Sequence, residues 1–212
     1  MRRLPVYLLL DTSGSMSGEP IEAAKNGVQV LVSTLRQDPY ALETAYLSVI
    51  TFDTTAKQVC PLSELANFQP PNLVATGTTS LGAALQLLAQ KITSEVTTTT
   101  AEIKGDWKPL IFIMTDGEPT DDWQKGLDEL KRVKPGVIVA CAAGPSANTS
   151  ILKQITDVVV QLDTTDSATI KAFFKWVSAS ISTGSQKVDS GNKEIIGLDD
   201  LPPPPPEVTF VV

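Results

Sequence analysis

Apolar runs of strand length alternate along this chain with stretches in which apolar residues recur at helical spacing. Leu4 to Leu10 is a continuous apolar run, the pattern of a strand buried on both faces. Tyr46 to Phe52, Lys108 to Thr115, Gly136 to Ala142 and Val158 to Leu162 are further runs of the same kind. Between them, Glu19 to Arg36 places Ile21, Ala24, Val28, Leu31, Val32 and Leu35 on one stripe, with Pro20 near the start, where proline is tolerated. Thr79 to Ile92, Asp122 to Val133, Asn148 to Ile155 and Ser167 to Ile181 are the other predicted helices. The last builds its apolar face from Ile170, Phe173, Phe174, Val177 and Ile181.

One strand breaks the alternation. The turn Asp53-Thr54-Thr55 returns Tyr46–Phe52 into Ala56 to Val59, so this pair reads as a hairpin at a sheet edge. Pro70 and Pro71 exclude a central strand from the polar loop that follows, and residues 93 to 105 read as a low-complexity insertion between helix and strand. The pattern predicts an α/β, doubly wound, mostly parallel six-stranded sheet with one antiparallel edge strand and helices on both faces. After Thr183 the composition turns polar, then gives five consecutive prolines and the apolar ending VTFVV. Residues 1–183 are therefore expected to form the domain and 184–212 a tail with a stiff polyproline segment. VTFVV is expected either to pack on the domain or to meet a partner's sheet edge.

Composition narrows the chemistry. With 212 residues, 42% of them hydrophobic, the chain can bury a full core. A net charge of -7 argues against nucleic acid or an anionic membrane as partner. The opening MRRLPVYLLL has the basic start and apolar stretch of a signal peptide, but the stretch is short, contains Pro5 and runs into Asp11 without a small-residue cleavage site, so it reads as the first strand. No other segment approaches the roughly 18 apolar residues of a membrane span. Cys60 and Cys141 lie far apart in apolar surroundings and are expected to be free thiols in a reducing compartment. The chain has no histidine, which removes Ser-His-Asp and Cys-His catalysis and imidazole-ligated zinc.

In a doubly wound sheet, ligands bind beyond the carboxyl ends of the strands, near the point where strand order reverses. Three loops meet that description: Asp11 to Gly18, Gly77 to Ser80 and Thr115 to Thr120. They carry Asp11, Ser13 and Ser15 in DTSGS, Thr79 in GTTS (with Thr78 beside it as the alternative) and Asp116 in TDGEP. Carboxylates and hydroxyls without nitrogen or sulfur suit a hard cation, Mg2+ first, with Mn2+ or Ca2+ as alternatives. Gly14, Gly18 and Gly117 supply backbone freedom there. Each piece alone has a plainer reading as a turn or helix cap, and Asp121 and Asp122 read as caps before a second cation site. Their joint occurrence at one sheet edge favours the metal.

DTSGSMSG after an apolar strand, GTTSLGAAL opening a helix, and IFIMTDGEPTD together resemble a von Willebrand factor type A domain, over about residues 4 to 182. The resemblance implies that Asp11, Ser13, Ser15, Thr79 and Asp116 form a metal-ion-dependent adhesion site, and that the bound cation takes an Asp or Glu carboxylate from a protein partner. It also implies coupling of ligand binding to a shift of the last helix. MRRLPVYLLLDTSGSM, TSLGAAL and WVSASIS are similar to the bacterial tellurite-resistance-associated members, the TerY type. That similarity implies a cytoplasmic protein working with a kinase or a PP2C-type phosphatase in stress response. The rival class is a Mg2+-dependent phosphotransferase or hydrolase. Against it, an Asp nucleophile of that kind has a second carboxylate two residues on, where this chain has Ser13, and no nucleotide-cradling glycine loop is present.

Overall fold

The computed structural model describes residues 2–190 and 197–211. Five strands, β1 (Leu4–Asp11), β2 (Ala45–Phe52), β4 (Leu110–Thr115), β5 (Ile138–Ala143) and β6 (Val159–Leu162), run parallel. Two more, β3 (Ala56–Glu64) and β7 (Val208–Phe210), are antiparallel to β2 and β6. Together they form one sheet in the order β3-β2-β1-β4-β5-β6-β7.

Every residue of β1 is buried. Because successive side chains of a strand point to opposite faces, Leu4, Val6, Leu8 and Leu10 enter one core while Tyr7 and Leu9 enter the other. The first core is covered by α1 (Glu19–Leu35), α2 (Pro39–Thr44) and α6 (Ser167–Ser190). The second is covered by α3 (Leu81–Glu95), α4 (Trp123–Arg132) and α5 (Thr149–Ile155). Burying a leucine side chain contributes roughly 1.5–3 kcal/mol, so the apolar run that reads as a central strand holds the centre of the sheet.

The sheet has seven strands and two antiparallel edges, where six and one were expected. The extra strand comes from VTFVV: Val208 is 2% exposed, and Leu162, Gln161 and Val160 pair with Val208, Thr209 and Phe210. Trp176 Nε1 donates to Pro202 O at 2.8 Å, tying the proline run to α6. The edge strand β3 extends through Pro61, which an edge tolerates because one side of its ladder is unpaired. A register shift beside Val49 bends the β2–β3 pair. The short α2 has no predicted counterpart; Pro39 opens it and Asp38 Oδ1 caps it by accepting from Tyr40 N and Ala41 N. Helix α3 starts at Leu81, after Thr79 and Ser80, and α6 continues past Ile181 to Ser190. Residues 191–196 of the polar stretch lie outside the described residues. Among the described residues no helix is long and apolar enough to cross a membrane.

Candidate metal centre

The chain leaves β1 towards β2 on one side and later returns to β4 on the other. That is the reversal of strand order, where the crevice beyond the strand ends is the usual ligand position in such sheets. Leu10 pairs with Met114, so Asp11 and Thr115 stand side by side at the strand ends, with Asp116 one residue beyond.

Asp11 is fully buried. Its Oδ1 accepts from Ser13 N at 2.8 Å and its Oδ2 accepts from Thr115 Oγ1 at 2.5 Å. Residues Gly14–Met16 form one 3-10 turn that carries Ser15 outward, leaving it exposed. Ser13 Oγ and Ser15 Oγ lie 3.0 Å apart, and Ser15 Oγ donates to Asp116 Oδ1 at 2.7 Å. Asp11 and Ser13 are joined through the Ser13 amide, and Ser13, Ser15 and Asp116 through their side-chain oxygens, so the four residues are linked across the crevice.

Thr79 arrives from the third loop. Gly14 N donates to Gly77 O at 3.0 Å and Thr76 N donates to Thr12 O at 2.8 Å, which lays the 74–80 segment against the turn after β1. Gly77 has φ +71, and a Cβ there would lie 2.2 Å from Thr54 Oγ1, so only glycine fits. Thr79 is 6% exposed, whereas Thr78 faces solvent and its amide donates to Thr54 Oγ1 at 3.3 Å. A methyl group built on Gly117 would lie 3.5 Å from Thr79 Oγ1 and 3.9 Å from Ser15 Oγ. The missing side chain of Gly117 therefore keeps open the space between those hydroxyls. All five predicted site residues are brought to this one crevice.

The electrostatics favour an added positive charge. Burial raises the Asp11 pKa above the usual carboxylate range, the hydrogen bonds from Ser13 and Thr115 pull it back, and the Asp116 charge pushes it up again. Burial likewise raises Asp116, against the Ser15 hydrogen bond. Neither acid has a basic partner among the described residues. Two desolvated carboxylates without a counter-charge are costly unless a cation joins them.

The donor set fits a small hard cation. No group of three or more His, Cys, Asp or Glu forms among the described residues, so any cation here relies on hydroxyls as well as carboxylates. Neighbouring oxygens of a regular octahedron with bonds of about 2.1 Å stand about 3.0 Å apart. The Ser13–Ser15 and Ser15–Asp116 separations of 3.0 and 2.7 Å are close to that spacing.

Three residues at the site go beyond the expected five. Thr115 holds Asp11, and its signal was its position at the strand end beside Asp11. Thr120 Oγ1 accepts from Thr79 N at 3.2 Å. Asp121 accepts from the first amides of α3, Gly82 N at 2.9 Å and Ala83 N at 2.8 Å, while Asp122 caps α4 through Lys125 N at 3.2 Å. Both aspartates are caps, but on two different helices.

The sequence profile of the von Willebrand factor type A domain matches residues 6–175. The uncharacterized protein sll0103 of Synechocystis sp. (strain ATCC 27184 / PCC 6803 / Kazusa) is 36% identical over 124 residues, covering 55% of this chain and 26% of that protein. This chain thus spans about a quarter of that relative's length. Solved structures share the fold at lower identity. A von Willebrand factor type A structure from Catenulispora acidiphila has a TM-score of 0.63 at 20% identity, over 86% of this chain and 43% of that one. Proximal thread matrix protein 1 of the mussel byssus, solved with a zinc-occupied MIDAS motif, has a TM-score of 0.60 at 19% identity, over 84% and 48%. The pilus adhesin SpaC of Lactobacillus rhamnosus GG has a TM-score of 0.67 at 15% identity, over 87% and 31%.

Proposed function

The chain belongs to the von Willebrand factor type A domain family, and from that premise we propose that it is a divalent-cation-dependent protein-interaction module. Asp11, Ser13, Ser15, Thr79 and Asp116 would hold the cation, Mg2+ in the first place. The bound cation supplies Lewis-acid attraction for one carboxylate of a partner's Asp or Glu. Asp11 and Asp116 are buried there, so the attraction would be stronger than it is in water. The observation that carries this reading is the linked set Asp11, Ser13, Ser15 and Asp116, joined through the Ser13 amide and three side-chain oxygens and built on two buried acids without a basic partner among the described residues.

Domains of this family are typically interaction modules, and the residues here support the same role. Ser13 and Ser15 bond one another and Asp116, and no histidine exists to activate either hydroxyl. Lys25, the nearest lysine after these serines in sequence, lies 3.8 Å from Glu22 on the surface of α1. The partner we propose is a kinase or PP2C-type phosphatase of a bacterial tellurite-resistance-type stress response, in the cytoplasm. Cys60 and Cys141 as free thiols support a reducing compartment.

The test is affinity capture with the native protein in Mg2+ against Asp11→Ala. The interaction reading expects a partner retained by the native protein and lost with Asp11→Ala or on chelation. Loss of small-substrate turnover, with capture unchanged, would select the phosphotransferase or hydrolase reading.

A further inference from the structure

Helix α3 is not capped from its own sequence. Ser80, the residue before it, makes no side-chain cap, and its Oγ is spent instead on Thr54 O at 2.9 Å. Its free amides at Gly82 and Ala83 are satisfied from outside the helix, by both carboxylate oxygens of Asp121 at 2.9 and 2.8 Å. The preceding residue makes two more bonds to the same segment: Thr120 N donates to Thr79 O at 2.8 Å and Thr120 Oγ1 accepts from Thr79 N at 3.2 Å. The backbones are also in close contact. A Cβ on Gly82 would lie 2.6 Å from Asp122 O, and a Cβ on Gly126 would lie 2.3 Å from Gly82 O.

These four hydrogen bonds join the loop that carries Asp116 to the segment that carries Thr79. Among the described residues no other side chain hydrogen-bonds across those two loops so near the crevice, and Thr79 and Asp116 are not bonded directly to one another. We infer that Thr120 and Asp121 are positioning residues of the cation site, a clasp that sets the separation of Thr79 Oγ1 from Asp116. This inference rests on the cation reading above. Both carboxylate oxygens of Asp121 are occupied by the α3 amides, so it acts through the backbone and not as a ligand.

The physical argument is one of preorganisation. A small cation binds well only when its oxygens are held near the required geometry before it arrives. Removing outer partners of metal ligands typically costs about 10- to 100-fold in affinity. Asp122 supplies an internal control: it is also a helix-capping aspartate, one residue away, but its cap serves α4 and touches neither loop ligand. A merely structural cap would lose stability in both variants alike.

The experiment is Mg2+ and Mn2+ titration by calorimetry on the full chain, comparing native protein, Asp121→Ala, Asp121→Asn and Asp122→Ala, with thermal unfolding of each measured beside it. The clasp predicts at least about tenfold weaker binding for Asp121→Ala, intermediate affinity for Asp121→Asn, which keeps one acceptor oxygen, and native affinity for Asp122→Ala. Should Asp121→Ala fail to fold, Thr120→Val removes only the Thr79 N acceptor and carries the same prediction. Native protein that binds while Asp121→Ala and Asp122→Ala match it within twofold would overturn the clasp alone. Native protein that binds neither ion would overturn the cation reading and the clasp with it.

Discussion

Ser15 Oγ donates a 2.7 Å hydrogen bond to Asp116 Oδ1 and so joins the loop after β1 to the loop after β4. Ser15 is exposed, and its hydroxyl completes the oxygen chain without supporting the core. Ser15→Ala makes no cavity in the core but leaves Asp116 Oδ1 without that donor, so metal-free unfolding stability is expected to fall by about 1–3 kcal/mol. Its affinity for Mg2+, read by calorimetry, should fall by at least about tenfold, the loss that follows removal of even an outer partner of a metal ligand.

Gly117 predicts a separation of fold from site in the other direction. It lacks the positive φ of Gly18, Gly77 and Gly144, and the nearest atoms to an added Cβ are ordinary contacts at 3.5 and 3.9 Å. Gly117→Ala should fold normally and gain up to about 1 kcal/mol by restricting the unfolded chain. The added methyl group would stand between Ser15 and Thr79. The expected result is a native or slightly raised melting temperature with weakened Mg2+ binding.

Much of this arrangement is legible in the apolar pattern, and what is not has physical reasons. β1 and β4 are long runs buried on both faces, so their ends, and hence Asp11 and Asp116, could be placed from sequence. β7 is short, with Val208 buried but Thr209 and Phe210 exposed, so nothing in its periodicity separated it from a loose tail. α2 is too short to show a helical stripe. The Asp121 cap joins residues far apart in the chain, and sequence-local capping rules look only at the helix that follows. Thr78 and Thr79 have the same chemistry; only the turn at Gly77 decides which is buried.

The raised pKa values of Asp11 and Asp116 predict an inverted pH response. The folded protein holds protons that the unfolded chain has already released, so metal-free stability falls as pH rises from the ordinary carboxylate range through the raised values. Cation binding requires the deprotonated acids, so Mg2+ affinity rises over that same interval. Urea unfolding from about pH 4 to 7, in chelator and in Mg2+, checks both directions. Asp116→Asn should flatten part of the metal-free trend.

Thr115 predicts a stability loss that does not depend on a ligand. Its hydroxyl bonds Asp11 Oδ2 in a fully buried setting. Thr115→Val preserves the shape of the strand end and removes that donor. The cost of leaving a buried acceptor unpaired is about 1–3 kcal/mol, to be read as a lower urea midpoint with an unchanged slope.

The cation site itself is tested most directly by titrating Mg2+ or Mn2+ into the native chain and into Asp116→Ala by calorimetry. The account predicts one saturable site in the native protein, abolished or strongly weakened by Asp116→Ala while the far-ultraviolet spectrum stays native. Absence of binding to the native protein at millimolar Mg2+ and Mn2+, or equal binding by the two proteins, would contradict it.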